Sequence, residues 1–137
     1  MIAIEIDHAV TDCSHLKCLL SQFAIDGVPF EIHCWKEETE TITLALQYGQ
    51  RQINSWRDGV VISGVVTPHF RQMLAAMDKP TDTAIYNKQM PFFAIFLGNS
   101  LASEHYGTEN YILAAPSSTC QTILQALAKI DGITVSV

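Results

Sequence analysis

MIAIEIDH, residues 1–8, is the stretch on which the reading of the fold turns. The run Met1 to Ile6 is apolar apart from Glu5, too short for a helix and rich in isoleucine. It reads as a strand buried on both faces, the kind found inside a parallel sheet. Asp7 and His8 then stand where that strand leaves the sheet. In an open α/β sheet, ligands bind outside the carboxyl ends of the strands. Asp7-His8 is therefore the first candidate site.

Outward from this strand, the chain alternates helix and strand signals. Leu16, Leu19, Leu20 and Phe23 form a helical stripe, started by Thr11 or Ser14 and ended by Gly27. Val28 to Trp35 reads as a second strand. Acidic EETET opens a helix whose period runs through Ile42, Ala45, Leu46, Gly49, Ile53 and Trp56. Gly59 to Gly64 is the third strand, and Thr67-Pro68 opens a helix carrying Phe70, Met73, Leu74 and Met77. Ala84 to Gln89 reads as loop. Pro91 to Leu97 is the fourth strand, and Gly98-Asn99-Ser100 turns into a short helix through His105. Asn110 to Ala115 is the fifth strand. Pro116-Ser117-Ser118 caps a helix bearing Ile123, Leu124 and Leu127, which Gly132 ends. Ile133 to Val137 alternates and forms a possible sixth strand, on this sheet's edge or a partner's. The expectation is one α/β domain over residues 1–137. Its core would be a three-layer, Rossmann-like, doubly wound parallel sheet of order 2-1-3-4-5 with helices on both faces.

Composition narrows the function. The 137 residues are 48% hydrophobic and 16% charged, with a net charge of −6. The eight lysines and arginines are scattered, which argues against nucleic-acid or anionic-membrane partners. No stretch approaches the roughly 20 apolar residues of a membrane helix. No basic segment precedes an apolar one at the start, so no export signal is expected and the cytoplasm is the expected compartment. Cys13, Cys18, Cys34 and Cys120 lack metal-ligand spacing and read as reduced thiols, so neither metal nor cofactor is expected.

The expected fold places several polar groups on one rim. They are Asp7 and His8, Ser63 to Thr67, Asn99 and Ser100, and Ser117 and Ser118. Helix starts at Thr67, Ser100 and Ser117 would aim N–H groups there, favouring an anion such as phosphate. His69, and Glu104 with His105, are weaker candidates; His15 and His33 carry no expected catalytic role. Ser63 lacks the glycine two residues earlier that a nucleophile elbow requires. No Walker A or GxGxxG pattern occurs.

The order of motifs resembles the RpiB/LacAB family, the ribose-5-phosphate isomerase B and galactose-6-phosphate isomerase subunits. IAIEIDHAVT resembles that family's opening strand ending in Asp-His. Val60-Val61-Ile62-Ser63-Gly64-Val65-Val66 stands where the family has a strand running into Cys-Gly-Thr-Gly. FFAIFLGN, LASEHYGTENYILAAP and QTILQALAKI resemble later segments, so the resemblance covers residues 1 to about 130. It implies aldose–ketose isomerisation of a sugar phosphate, in a homodimer or homotetramer. Asp7, His8 and Ser63 would be catalytic, and Gly64, Thr67, Asn99 and Ser117 would bind substrate or phosphate.

The departures also matter. Ser63 occupies the position of the family's cysteine base, and a hydroxyl is a far weaker base. Val65 and Val66 replace part of the glycine-bearing turn, the ring-opening histidine has no match at Leu97-Gly98-Asn99, and the Arg-rich tail has no counterpart. Two functional readings follow. One is a degenerate or altered sugar-phosphate isomerase. The other is a non-catalytic ligand-binding, regulatory or partner subunit on the same fold.

Overall fold

The computed structural model describes residues 1–7, 10–53, 56–81 and 87–137. The elements are β1 (Ile2–Ile6), α1 (Ser14–Phe23), β2 (Pro29–Trp35), α2 (Thr39–Leu46), β3 (Gln50–Arg51), β4 (Gly59–Val65), α3 (Pro68–Ala76), β5 (Ala94–Leu97), β6 (Leu101–Glu104), β7 (Glu109–Ile112), α4 (Ser117–Leu127) and β8 (Ile133–Ser136). The strands form one sheet in the order β3-β4-β2-β5-β6-β7-β1-β8. Every neighbouring pair is antiparallel.

This corrects the expected parallel, doubly wound, Rossmann-like sheet. The local cause lies partly in two turns. Gly98, at φ 55°, begins a three-residue turn closed by Ser100 N–H donating to the Leu97 carbonyl at 3.2 Å. The chain therefore doubles back into a strand, β6, instead of entering the expected helix. His105, Tyr106 and Gly107, at φ 51°, 59° and 85°, reverse it again into β7. The second cause is that α2 stops at Leu46. The chain then returns along the sheet edge through β3, leaving Ile53 87% exposed, so β4 runs opposite to β2.

The helical crossovers themselves are present. α1 joins β1 to β2, α2 joins β2 to β3, α3 joins β4 to β5, and α4 joins β7 to β8. Within each pair the two strands point the same way, but they are not neighbours. β5, β6 and β7 lie between β1 and β2; β4 lies between β2 and β3; β2 lies between β4 and β5; β1 lies between β7 and β8. Interleaving these crossovers turns a β-α alternation into an antiparallel sheet.

All four described helices contribute to a single core on one face of the sheet. Ile4, Ile32, Ile62 and Ile95 meet Leu16, Leu20, Ala45, Phe70, Ile123 and Leu127 there. Phe30 stacks on Phe70 with ring centroids 4.2 Å apart. The opposite, outer face carries the alternate strand residues. β1 is therefore not buried on both faces: Ile2, Ile4 and Ile6 are buried, whereas Ala3 is half-buried and Glu5 exposed. One-sided burial is a hallmark of antiparallel sheets.

Several local expectations agree with these elements. Thr67 caps α3 by accepting from Phe70 N–H at 3.1 Å, with Pro68 in the first turn. The C-terminal strand lies on this sheet's own edge, beside β1. The caps expected from Ser117 and Ser118 differ, because Pro116 occupies the cap position of α4 and no side-chain cap bond forms. His8 lies outside the described residues, as do 84–86 of the expected loop.

Phe70 is fully buried against Phe30 and Tyr48. Phe70→Ala is expected to lower stability by about 3–5 kcal/mol through lost burial and a residual cavity. Urea unfolding followed by circular dichroism measures this; a loss under about 1 kcal/mol would show that the stack is not central to the core.

Candidate functional site

Antiparallel pairing decides where the candidate residues go. Ile2 pairs with Ile112, Ile112 with Leu101, Leu101 with Leu97, Leu97 with Phe30, and Phe30 with Gly64. The start of β1 and the end of β4 therefore share one end of the sheet. Asp7 follows the end of β1, at the other end, where its N–H donates to the Gly132 carbonyl at 2.8 Å. Between β1 and β4 lie four strands. Five strand spacings alone amount to about 24 Å. Asp7 and Ser63 do not share a pocket.

Four other candidates do come together. Ser63, Gly64, Thr67 and Asn99 line a groove of about 1350 Å³ with Glu31, Tyr48, Phe96 and Leu113. Ser117 opens α4 but does not line it. Within the groove, Gln52 Nε2 donates to Ser63 Oγ, and the residues opposite Ser63 are Glu31 and Gln50. Gly64 has a packing reason to be glycine: a β-carbon there would stand 2.9 Å from the Phe30 ring. Thr67 spends its hydroxyl on the helix cap. No lysine or arginine lines the groove, so it offers a phosphate no cationic partner.

The outer face carries a second feature, which sequence reasoning missed. A continuous chain of aromatic rings runs over it. Phe96 lies 4.8 Å from His33, and His33 lies 5.9 Å from Trp56. Trp56 lies 4.7 Å from Trp35, which lies 5.0 Å from Phe93. Phe93 then meets His105 at 5.6 Å and Tyr106 at 5.3 Å. Apart from exposed His105 and buried Tyr106, these rings are half-buried. Gly59 makes room for the arrangement, since a β-carbon there would collide with the Trp56 ring. Glu38 fixes one end: it accepts from Trp35 N–H at 2.9 Å and from the Tyr106 hydroxyl at 3.0 Å.

Beside the rings stands a row of carboxylates. Glu104 is directly opposite Glu109, and Glu109 directly opposite Glu5. Like charges facing each other across a sheet are destabilising. Glu109 is the largest cause, ahead of burial and then of Glu104 and Glu5, that pushes the Tyr111 phenol above its ordinary range. His105 Nε2 lies 3.3 Å from Glu109, and His33 Nε2 lies 3.3 Å from Glu31. Fainter traces of this face were present in the strand alternations, Glu31-His33-Trp35 against Phe30-Ile32-Cys34 and Ala3-Glu5 against Ile2-Ile4-Ile6.

The four cysteines are free; Cys13 and Cys34 are buried, Cys120 is half-buried and Cys18 is exposed. Burial, and then Glu38, push the Cys34 thiol up to about 12. Among the described residues no cluster of three or more His, Cys, Asp or Glu could hold a metal. No helix among them is long and apolar enough to cross a membrane.

Comparison of the chain with protein-family models, with curated proteins and with solved structures finds no match. The sheet, its order and its two faces are therefore the basis for reading function.

Two measurements check this geometry. Glu109→Gln removes the middle carboxylate and is expected to raise stability by about 0.5 kcal/mol. The same substitution should move the Tyr111 phenol back toward its ordinary range, read by ultraviolet absorbance during alkaline titration. A Tyr111 titration unchanged by the substitution would place these groups apart. Separately, a thiol reagent at neutral pH should label Cys18 at once and leave Cys34 protected until unfolding. Cys34 protonation supports the fold fully below the ordinary thiol value of 9.0, and that support is lost as pH rises toward about 12. Fast labelling of Cys34 in the native protein would contradict its burial.

Proposed function

We propose that this protein is a non-catalytic binding protein that engages its partner through the outer face of the sheet. The observation that carries the reading is the helix-free face, with its continuous aromatic chain bordered by a carboxylate row. Aromatic residues concentrated on an exposed surface supply most of the energy in protein interfaces. Val65 and Leu113, 52% and 48% exposed, extend the apolar area along the same sheet.

Aldose–ketose isomerisation has less support from the geometry. It needs Asp7 beside Ser63 and Gly64, and antiparallel pairing holds them at opposite ends of the sheet. It also needs a phosphate grip, and no basic side chain lines the groove holding Ser63, Gly64, Thr67 and Asn99. The fold that the family resemblance implied is not the fold this chain adopts.

A photo-crosslinking amino acid placed at Phe96 tests the reading, with the exposed helix position Gln72 as control. In an extract of the native cells, a discrete adduct is expected from position 96 and none from position 72. Ribose 5-phosphate and galactose 6-phosphate are expected to show no turnover. Turnover abolished by Asp7→Asn, or equal crosslinking from both positions, would overturn the proposal.

A further inference from the structure

The outer face also carries information about what covers it. Glu5, Glu109 and Glu104 form a row across three adjacent strands, and Glu31 sits further along the face, in the row below. No lysine or arginine occupies an outward-facing strand position. Arg51, the one basic residue on a described strand, is opposite Ile62 and so points toward the helix side. The carboxylate row therefore has no lysine or arginine on its own strands; among the described residues His105 approaches it, with Nε2 3.3 Å from Glu109. Three facing glutamates cost stability in the uncovered protein. A partner bringing positive charge would relieve that repulsion on binding.

The neighbouring rings favour the same kind of partner. Trp35 and Trp56 lie against each other on the half of the face next to the row. On β5 and β6 the outward-facing residues include the small Ala94, opposite His33, and Ala102, opposite Phe96 and Tyr111, both buried by their neighbours. A guanidinium can stack on an indole while pairing with a nearby carboxylate. A cation–ring contact of the simpler kind is already present at the end of the ring chain, with Lys88 Nζ 4.7 Å above the ring of Tyr106.

We propose that the outer face takes a basic protein segment, placing arginine or lysine side chains on the Glu5–Glu109–Glu104 row and against the Trp35–Trp56 pair. The proposal rests on the reading of this face as a binding surface. A second copy of the chain fits poorly, because face-to-face packing would bring glutamates to glutamates with no strand-borne cation from either side. Nucleic acid would be repelled by the same carboxylates.

Isothermal titration calorimetry with three peptides of equal length tests it: oligo-arginine, oligo-glutamate and a neutral serine–glycine peptide. Only oligo-arginine is expected to bind, more weakly as salt rises. The variant E5Q/E104Q/E109Q is expected to weaken binding about tenfold or more, and Trp35→Ala also to weaken it. The triple variant relieves like-charge repulsion, so it should fold at least as stably, which circular dichroism checks. A control, E40Q/D78N/D131N, makes the same change in net charge at exposed positions in or just after helices, away from the row and the tryptophans, and should alter affinity by no more than about twofold. Equal losses in both variants would mean net charge alone, and would overturn the inference. So would absence of binding, or a dimer in sedimentation equilibrium that Phe96→Glu dissolves. If oligo-arginine fails while position 96 still crosslinks a partner, the basic-segment inference falls and the binding face stands. If both fail, both fall.

Discussion

The pairing of β7 with β1 and of β5 with β2 is the interaction on which the rest of the structure depends. These ladders seat a three-stranded meander between two strands that a single helical crossover connects. Once it is there, the strands flanking β1 and β2 must run against them. Each crossover helix then lands on the same side as the others, because one apolar face is all that the alternating strands provide. The core is one layer of helices on one layer of sheet, held by contacts such as the Phe30–Phe70 stack.

The same pairing distributes the chemistry. It carries Asp7 to one end of the sheet and Ser63, Gly64, Thr67 and Asn99 to the other. It brings Glu104, Glu109 and Glu5 into direct opposition, although two of them come from the meander and one from the first strand. It also sets β2 and β5 side by side, so that His33 reaches Phe96, while Trp56 folds over Gly59 onto Trp35. Facing carboxylates and half-exposed tryptophans do little for an isolated domain. Their concentration on the helix-free face is the physical reason for assigning binding to it.

Much of the local structure was legible in the sequence. β1, α1, β2, β4, α3, α4 and β8 follow from periodicity and from signals such as Thr67-Pro68. β6 was not, because Leu101-Ala102-Ser103-Glu104 lacks β-branched residues and follows a Gly-Asn turn that also suits a helix start. The order of strands was not legible either. β-α alternation reports how strands are connected, and interleaved crossovers separate connection from adjacency. The clue that was present lay in β1, where isoleucine alternates with Ala3 and Glu5; that period of two marks a strand with one open face. For the site, Ser63, Gly64, Thr67 and Asn99 were legible as neighbours because they end or follow strands reaching the same end. Trp35, Trp56 and Phe93 were not, since only the folded sheet brings their rings together.

The central claim is that one face of the sheet is covered by helices and the other carries none, only its own half-buried rings and carboxylates. Nuclear magnetic resonance with a soluble paramagnetic probe tests it most directly. Signals from Tyr111, Val65, Leu113 and the Trp35 and Trp56 indoles should be attenuated, while the methyl signals of Ile4, Ile32 and Ile62 should be protected. Equal protection of both sets would mean that both faces are covered, as in a three-layer sheet, and would contradict the account.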